Sequence, residues 1–440
     1  MITNEQKELA RRAMEYALKN GCQACRVGIY GGSETSFDVR DTQLDKLQQA
    51  EESQMVIYLF VDGRYGSIST NRMDKNELET FIRNGIASTR FLAEDAARQL
   101  PDASLYFKGG NDNQLELYDE TVSTVSPDEK LKLANTTAAE IYGTDSRLIS
   151  VTAGYSDGEN FSYIVDSNGF EGSGASSSFG LSAEAAVKGD GDARPSSYWY
   201  DQSLFWSDLK KTDIGKKALE RALQKIGQAK MKSGKYPMLV DNMVAGTLLR
   251  PVISALNGAS LQQKNSFLLD KKGQKVVSVN MTLIDDPLMP KTIGAKCFDR
   301  EGIASQKRMI FDKGVLNTYF IDTYNANKMK MDVTTGAPSV VRFELGIKNL
   351  SEMISKLDKA IYVTGFNGGN CNSSTGNFSY GMEGFWIEGG ELKQPVAEMN
   401  ITGDMLTLWS NLVGVGNDPV HFSSWQMPTL LFEGVDFSGL

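Results

Sequence analysis

The N-terminal half of the chain alternates between two hydrophobic periodicities. Apolar residues at helical spacing predict helices over residues 3–20, 74–100, 127–142 and 213–230. Two of these helices begin with the capping-box pattern, in which Thr3 precedes Gln6 and Ser126 precedes Glu129. Alternation of apolar and polar residues predicts strands over 25–31, 35–40, 54–61, 65–70, 148–155 and 161–165, with a hairpin turn at 156–160.

After Gly234 the pattern becomes a series of short strand-like runs separated by Gly, Asn, Asp and Pro. Only residues 241–256 and 351–358 retain helical spacing there. We therefore predict an α+β fold in two parts: a mixed helix and antiparallel-sheet domain over residues 1–230, and a β-rich domain over residues 231–440. Helices grouped with hairpins, in place of a regular βαβ alternation, are typical of this class.

Composition limits the partners that the chain is expected to bind. The 440 residues include 46 Lys+Arg and 55 Asp+Glu, which gives a formal charge of −9 and a pI near 5.0. Nucleic acids and anionic membranes are bound through basic surfaces. We therefore expect neither direct nucleic-acid binding nor membrane association.

Targeting signals and cysteine content bear on the compartment. The first residues lack the basic and apolar segments of a secretory signal. The longest apolar run, at residues 55–61, is too short to cross a membrane and predicts a buried strand. Four cysteines in a chain of this length do not make a disulfide framework. A cytoplasmic location is the expectation.

The chain has few histidine and cysteine residues that could serve in catalysis or metal binding. His421 is the single histidine, and a His-Glu-x-x-His zinc site needs two imidazoles on one helical face. Asp418 lies three residues before His421, but no G-x-S-x-G pattern marks a nucleophilic serine for a triad. Cys22 and Cys25 form a C-x-x-C pair, for which burial in a strand is the simpler interpretation.

Two groups of carboxylates could bind a metal or exchange protons. They are Asp285 with Asp286, and Asp299 with Glu301. Beside Pro and Gly, such residues are more typical of turns and solvated caps, which is the interpretation that we favour.

A segment rich in Gly, Asn and Ser covers residues 365–381, after a predicted strand at 361–364. Its backbone N–H groups could hold a phosphate or carboxylate, although the sequence is not that of a P-loop. Alternatively, it is a tight loop that joins two strands. The candidate residues of a ligand- or peptide-binding loop are Asn367, Asn370, Ser373, Ser374, Thr375 and Asn377. Ser373, Ser374 and Thr375 are also candidate nucleophiles for a hydrolase of unrecognised chemistry.

Several motifs together resemble the TldD/PmbA family, once named modulators of DNA gyrase, and within it the PmbA (TldE) branch. They are Asp-Ile-Gly-Lys-Lys-Ala at 213–218, Ser-Gly-Lys-Tyr-Pro at 233–237, Leu-Ile-Asp-Asp-Pro at 283–287, Phe-Asp-Arg-Glu-Gly at 298–302, Thr-Thr-Gly at 334–336, Ser-Thr-Gly-Asn-Phe-Ser at 374–379, Gly-Phe-Trp-Ile-Glu-Gly-Gly at 384–390 and Val-Gly-Asn-Asp at 415–418. The resemblance spans essentially the whole chain, and it implies an α+β N-terminal and a β-rich C-terminal domain.

The same resemblance implies where a metal site would be. TldD-type members are similar to zinc metalloproteases with a His-Glu-x-x-x-His helix and a cysteine ligand near the C-terminus. In the matching helix of this chain, Arg250, Pro251 and Ala255 stand at the His, Glu and His positions, and no cysteine follows Cys371. The resemblance thus implies no catalytic or metal-binding residue here, with zinc expected only in a TldD-type partner.

The leading hypothesis is therefore a non-catalytic subunit of a cytoplasmic zinc metalloprotease complex that trims or degrades unfolded peptides. Its expected partners are a TldD-type metalloprotease paralogue and a peptide substrate, in a homo- or heterodimer. The alternative is a homo-oligomeric protein that binds a peptide or small ligand without catalysis.

Overall fold

The computed structural model describes residues 2–440 and begins with one large antiparallel sheet. Its strands are β1 (Ala24–Arg40), β2 (Gln43–Val61), β3 (Arg64–Thr70), β4 (Leu148–Asp166), β5 (Glu171–Val187) and β6 (Ser196–Ser203). They lie in the order β3-β2-β1-β4-β5-β6, so β3 and β6 are the two edges. The helices that accompany this sheet are α1 (Asn4–Lys19), α2 (Lys75–Thr89), α3 (Pro127–Ala139) and α4 (Ile214–Leu223).

The helices cover one face of this sheet, because apolar side chains of the central strands alternate toward that face. Toward one end, Val27 of β1 packs in a buried cluster with Ala13 of α1. Toward the other, Leu181 of β5 packs with Ala218 of α4. The opposite face is more polar, and Glu52 lines an open groove of about 440 Å³ there.

The predicted hairpin turn at residues 156–160 is wrong, because β4 runs through it without interruption. Ser156 pairs with Ser36 of β1 in the middle of the sheet. Gly158 lies where the two strands approach closely, since a Cβ at this position would be 2.8 Å from the carbonyl oxygen of Ser33. The polar and glycine residues that suggest a turn are thus part of the sheet, where glycine permits a close backbone approach.

The predicted starts of two helices are confirmed, and the predicted ends of two helices are wrong. The capping boxes that begin with Thr3 and Ser126 both form. Helices α2 and α4 end at Thr89 and Leu223, well before the predicted residues 100 and 230. After α2 the chain forms a β-bridge with β3 at Glu94, and after α4 it enters tight turns and then forms a β-bridge with Val396 at Ala229.

Beyond residue 230 the described chain forms two further sheets and several short helices. The helices are α5 (Gly246–Ala255), α6 (Gly258–Gln262), α7 (Thr323–Met329), α8 (Leu350–Ile354) and α9 (Met405–Ser410). The strands are β7 (Gly234–Val240), β8 (Leu283–Asp285), β9 (Arg308–Asp312), β10 (Val315–Leu316), β11 (Val341–Phe343), β12 (Lys359–Cys371), β13 (Asn377–Glu388), β14 (Glu391–Asp404), β15 (Leu412–Val415), β16 (Trp425–Gln426) and β17 (Leu430–Ser438). α5 and α8 correspond to the predicted helices at 241–256 and 351–358, and both are shorter.

One of these sheets closes on itself. The small sheet has the order β10-β9-β8-β11-β16, and the larger one has the order β14-β13-β12-β7-β17-β15. In the larger sheet β17 pairs with β7 along Leu430–Val240 and also with β14 along Phe437–Ile401. The strands β7, β12, β13, β14 and β17 therefore form a closed barrel, whose inward side chains pack with α5 and with Trp409 in one large core.

These elements confirm the predicted α+β class, with antiparallel and mixed sheets beside separate helices. The first sheet lies within residues 24–203 and the other two lie within 234–438. The domain boundary near residue 230 stays a prediction. Within residues 2–440, none of the helices combines the length and the apolar character that crossing a bilayer requires.

Buried polar contacts connect the two parts of the chain. Arg26 of β1 donates to the carboxylate of Asp166 at 3.0 Å and to the carbonyl oxygen of Glu301 at 2.9 Å. Lys225, just after α4, pairs with Glu383 of β13 at 2.6 Å. These contacts hold the first sheet against the β-rich part, and so fix the position of any site that lies between them.

A substitution at Gly384 of β13 would test how closely the barrel strands pack. A Cβ at this position would lie 1.9 Å from the carbonyl oxygen of Tyr362 on β12, and backbone atoms cannot give way as a flexible side chain can. We expect Gly384→Ala to lower the free energy of unfolding by about 1–3 kcal/mol, measured by urea denaturation. Gly336→Ala is the matched control, because the nearest atom to its Cβ would be at 3.8 Å. Equal stability of the two variants would contradict this account.

Candidate functional site

Helix α5 is held at its start by a buried carboxylate. Asp241, at the end of β7, accepts a hydrogen bond from the backbone N–H of Met243 at 2.9 Å and another from the hydroxyl of Tyr362. Arg221 of α4 lies 3.9 Å from the same carboxylate. Burial and the neighbouring Asp241 raise the pKa of Tyr362 well above its usual value, so its hydroxyl stays a donor. Groups from three elements thus fix the direction of α5.

The two faces of α5 differ sharply. Leu248 and Ala255 are buried in the core, and the indole N–H of Trp409 donates to the carbonyl oxygen of Leu248 at 3.3 Å. Arg250 and Ser254 are exposed on the other face. This face borders a cleft between the first sheet and the β-rich part.

The cleft has a volume of about 460 Å³ and lies beside the edge strand β6. Its wall on the sheet side is Tyr200 of β6, whose ring meets that of Phe422 edge-on at 5.3 Å between centroids. Gln202 of β6 donates to the carbonyl oxygen of Phe422 at 2.6 Å, which ties this edge to residues 420–425. The cleft is lined by Tyr200, Asn242, Met243, Gly246, Thr247, Arg250, Val420, Ser423, Ser424, Trp425 and Met427.

Charge and hydrogen-bonding groups in this cleft are unevenly distributed. Among the described residues that line the cleft, Arg250 is the only one with a formally charged side chain, and none is acidic. Its guanidinium carbon lies 5.9 Å from the ring centroid of Trp425, within the range of a cation–π contact. Hydroxyl and amide side chains supply the remaining polar surface. The cleft is therefore suited to an anionic or polar ligand.

The three residues of α5 that the family resemblance assigns to the metal motif do not provide metal ligands. Pro251 and Ala255 carry no donor atom, and Arg250 is a cation. Ala255 is 1% exposed while Arg250 is exposed, so these two positions do not face a common space. Among residues 2–440, no three His, Cys, Asp or Glu side chains form a group that could hold a metal ion. The side chains present along α5 do not fit a zinc ion.

The predicted ligand segment at 365–381 is a β-hairpin, not a loop. β12 continues to Cys371, and Asn377 begins β13, so only the intervening residues turn. Gly369 has a φ of 102°, and a Cβ there would lie 2.1 Å from the carbonyl oxygen of Ser379. Its glycines thus permit a bulge and a close strand approach inside the hairpin, which sequence alone does not distinguish from a loop.

The six candidate residues of this hairpin are all exposed, but they do not converge on one point. Asn367 lines a separate cleft of about 750 Å³ beside Lys225 and Glu383. Asn370 pairs with Ser379 along the strands. The hydroxyls of Ser373 and Ser374 both donate to the side chain of Asn265. Thr375 accepts a hydrogen bond from the N–H of Asn377 at 3.2 Å.

The clustered carboxylates are buried, so their predicted role as solvated caps is wrong. Asp285 is 1% exposed and accepts the N–H of Ser339 at 2.8 Å, and burial raises its pKa. Asp299 is 8% exposed and accepts the N–H groups of Glu301 and Ile303, which confirms its role in a turn. Backbone donors compensate for burial in both cases.

Asp286 is also buried, yet its environment is cationic. It pairs with Arg342 at 2.6 Å and with Lys307 at 3.1 Å. Burial opposes ionisation of Asp286, and these two cations outweigh it and lower its pKa. The motif carboxylates thus hold together the small sheet and its loops.

The remaining candidates have structural surroundings. Cys25 is fully buried in β1, as predicted, and burial raises the pKa of Cys22 to about 11, which leaves it a neutral thiol. His421 is exposed. Asp418 accepts both the N–H and the hydroxyl of Thr429, so it is already occupied by another partner.

The sequence pattern did not single out Tyr200, Thr247, Ser423, Ser424 or Trp425. A partial signal existed for Tyr200, because Tyr-Trp-Tyr at 198–200 is unusually aromatic for an edge strand. Trp425 follows two serines in a polar segment, which is an uncommon place for a core tryptophan. Only the packing of β6 against residues 420–427 places these residues beside Arg250.

Comparison with known proteins adds a family pattern to this geometry. Three family models match the chain, described as PmbA/TldA metallopeptidase domain 1 over residues 25–89, its central domain over 120–226 and its C-terminal domain over 233–439. A curated protein named Metalloprotease PmbA homolog, from Haemophilus influenzae, is 25% identical over 440 residues, covering 99% of this chain and 96% of that protein.

Solved structures show the same architecture. A protein from Bacteroides thetaiotaomicron described as a modulator of DNA gyrase is 58% identical, with a TM-score of 0.97 and coverage of 100% of both chains. TldE from Thermococcus kodakarensis is 19% identical, with a TM-score of 0.84, covering 98% of this chain and 100% of that one. The second likeness is one of fold.

Proposed function

This chain belongs to the PmbA/TldD metallopeptidase family, and from that premise we propose that it is a non-catalytic, peptide-holding subunit of a metalloprotease complex. The observation that carries the proposal is the exposed face of α5. On this face Arg250 borders the open cleft. Arg250, Pro251 and the buried Ala255 stand where the family resemblance expects the two His ligands and the Glu of the zinc motif, and none of the three can bind zinc. The catalytic zinc belongs to a TldD-type paralogue with which this chain pairs in the cytoplasm.

The free edge of β6 supports the peptide-holding role. Among the strands of residues 2–440, β6 pairs only with β5. Lys225 occupies the carbonyl oxygen of Ser196 at its start, and the outward backbone groups farther along β6 are available to an extended chain. Strand addition to such an edge supplies main-chain hydrogen bonds that do not depend on peptide sequence. Tyr200 and the polar walls of the cleft then contact the side chains of the bound peptide. An unfolded peptide is the substrate that meets these requirements.

Reconstitution with a partner tests the proposal. We expect the purified chain alone to bind no stoichiometric zinc and to cleave no peptide, because α5 lacks metal ligands. Adding the TldD-type paralogue from the same organism should give zinc-dependent cleavage of an unfolded peptide that exceeds the paralogue's own rate about tenfold or more. Zinc content is measured by mass spectrometry and cleavage by peptide mapping.

The cleft variant Tyr200→Ala should reduce this stimulation about tenfold, since an aromatic contact with the peptide is lost. Tyr142→Ala is the matched control, because Tyr142 is an exposed tyrosine that lies after α3 and does not line the cleft. Zinc-dependent cleavage by the chain alone would overturn the proposal. Peptide binding that needs no paralogue and gives no cleavage with it would favour a homo-oligomeric binding protein instead.

A further inference from the structure

We propose that Arg250 binds the C-terminal carboxylate of the peptide, so that the cleft selects chain ends. This inference rests on the proposed peptide-holding function and specifies its substrate class. The family resemblance places Arg250 at the position of a metal ligand, and the inference gives this residue a different role, the recognition of an anion by its guanidinium.

The first support is that the Arg250 guanidinium is unoccupied. The arginine ion pairs formed within residues 2–440 involve other arginines, and Arg250 is in none of them. In a chain with a net charge of −9, an arginine in a cleft without any acidic lining residue is conspicuous. Its N–H groups can therefore form the paired hydrogen bonds that carboxylates favour.

The second support is the set of side chains around the guanidinium. The ring centroid of Trp425 lies 5.9 Å from the guanidinium carbon, within the range of a cation–π contact. The ring offers no carboxylate or carbonyl acceptor, so the N–H groups of Arg250 stay available to a ligand in the cleft. Thr247, Ser423 and Ser424 place hydroxyl groups in the same lining, where they can bond the second carboxylate oxygen or the last peptide group.

The third support is that the cleft lies at the end of the β6 edge. Gln202, near the end of β6, donates to the carbonyl oxygen of Phe422, and Tyr200 of the same strand lines the cleft with residues 423–425. A terminal carboxylate continues the main chain that β6 would bind, whereas the carboxylate of an Asp or Glu side chain projects away from the main chain. This favours the chain terminus over Asp or Glu.

The test compares three peptides on the full-length chain by isothermal titration calorimetry. They are acetyl-tetraalanine with a free carboxylate, the same peptide with a C-terminal amide, and an amidated peptide with one internal Glu. We expect the free acid to bind about ten- to hundredfold more tightly than either amide, because hydrogen bonds to charged groups are the strong ones. In Arg250→Gln, the free acid should bind no better than the amide.

Two further variants make the result specific. Arg250→Lys keeps the charge but loses the planar fork, so it should retain only part of the preference for the free acid. Arg83→Gln removes an exposed arginine on α2 and should change nothing. Circular dichroism of each variant verifies folding. Tighter binding of the internal-Glu amide than of the free acid would overturn the inference, and so would equal binding of acid and amide.

This experiment separates the inference from the function on which it rests. If the chain fails to stimulate a TldD-type paralogue but still discriminates acid from amide, the proposed complex is wrong and the carboxylate site stands. If stimulation occurs without that discrimination, the complex stands and the role of Arg250 is wrong.

Discussion

Replacing Asp166 with Asn is expected to lower the free energy of unfolding by about 3–5 kcal/mol, the range for breaking a buried ion pair. Asp166 is 2% exposed, and its carboxylate accepts hydrogen bonds from Arg26 at 3.0 Å and from the hydroxyl of Tyr106 at 2.7 Å. Burial and the carboxylate both raise the pKa of Tyr106, so it remains a donor. An amide in place of the carboxylate leaves the buried Arg26 charge without its ion-pair partner. Urea denaturation followed by circular dichroism measures the loss.

A double variant separates charge from shape. Adding Arg26→Met to Asp166→Asn removes the uncompensated cation, so part of the lost stability should return. The control is Asp436→Asn, whose partner Lys235 is 69% exposed at its side chain, and which should cost at most about 1 kcal/mol. If Asp166→Asn is no more costly than this surface variant, the buried pair of Arg26 and Asp166 does not stabilise the pairing of β1 with the end of β4.

Trp409→Ala is expected to have an effect of similar size, about 3–5 kcal/mol, because it empties the centre of the barrel core. Trp409 is fully buried and meets the ring of Phe432 edge-on at 5.3 Å between centroids. Its indole N–H also donates to the carbonyl oxygen of Leu248, so the change loosens the buried face of α5. Thermal unfolding measured by calorimetry gives the loss.

Matched substitutions identify which contact matters. Trp409→Phe keeps an aromatic ring but loses the N–H donor and some volume, so it should cost less than the alanine variant, about 1–3 kcal/mol. Tyr198→Ala removes an aromatic ring that is 59% exposed and should cost less than about 0.5 kcal/mol. A Trp409→Ala protein as stable as Tyr198→Ala would mean that α5 is not anchored through the core.

Sequence patterns predicted the fold class and the elements whose signals are local. The capping boxes at Thr3 and Ser126 depend on residues three positions apart, and both were predictable for that reason. The failed turn at 156–160 had an equally clear local signal, namely polar residues around a glycine. There the pairing of β4 with β1, which is distant in sequence, decided the structure.

The site was predictable only in part, for a related reason. The position of Arg250 came from the family resemblance, and Asp299 was correctly expected in a turn. Tyr200 and Trp425 could not be assigned, because they lie beside Arg250 only through the packing of β6 near residues 420–427, which include β16. The hairpin at 365–381 resembled a loop in sequence. Bulges and turns both need residues that adopt a positive φ, and glycine meets that need in either place.

The closure of the barrel by β17 has a consequence for synthesis of the protein on the ribosome. Val240 of β7 acquires its partner Leu430 only after almost the whole chain has been translated. Until then β7 and β14 present two unpaired strand edges, which are surfaces that chaperones and other nascent chains bind readily. A product that stops before residue 430 keeps both edges open permanently. Premature termination therefore yields a polypeptide that quality-control proteases can recognise at once.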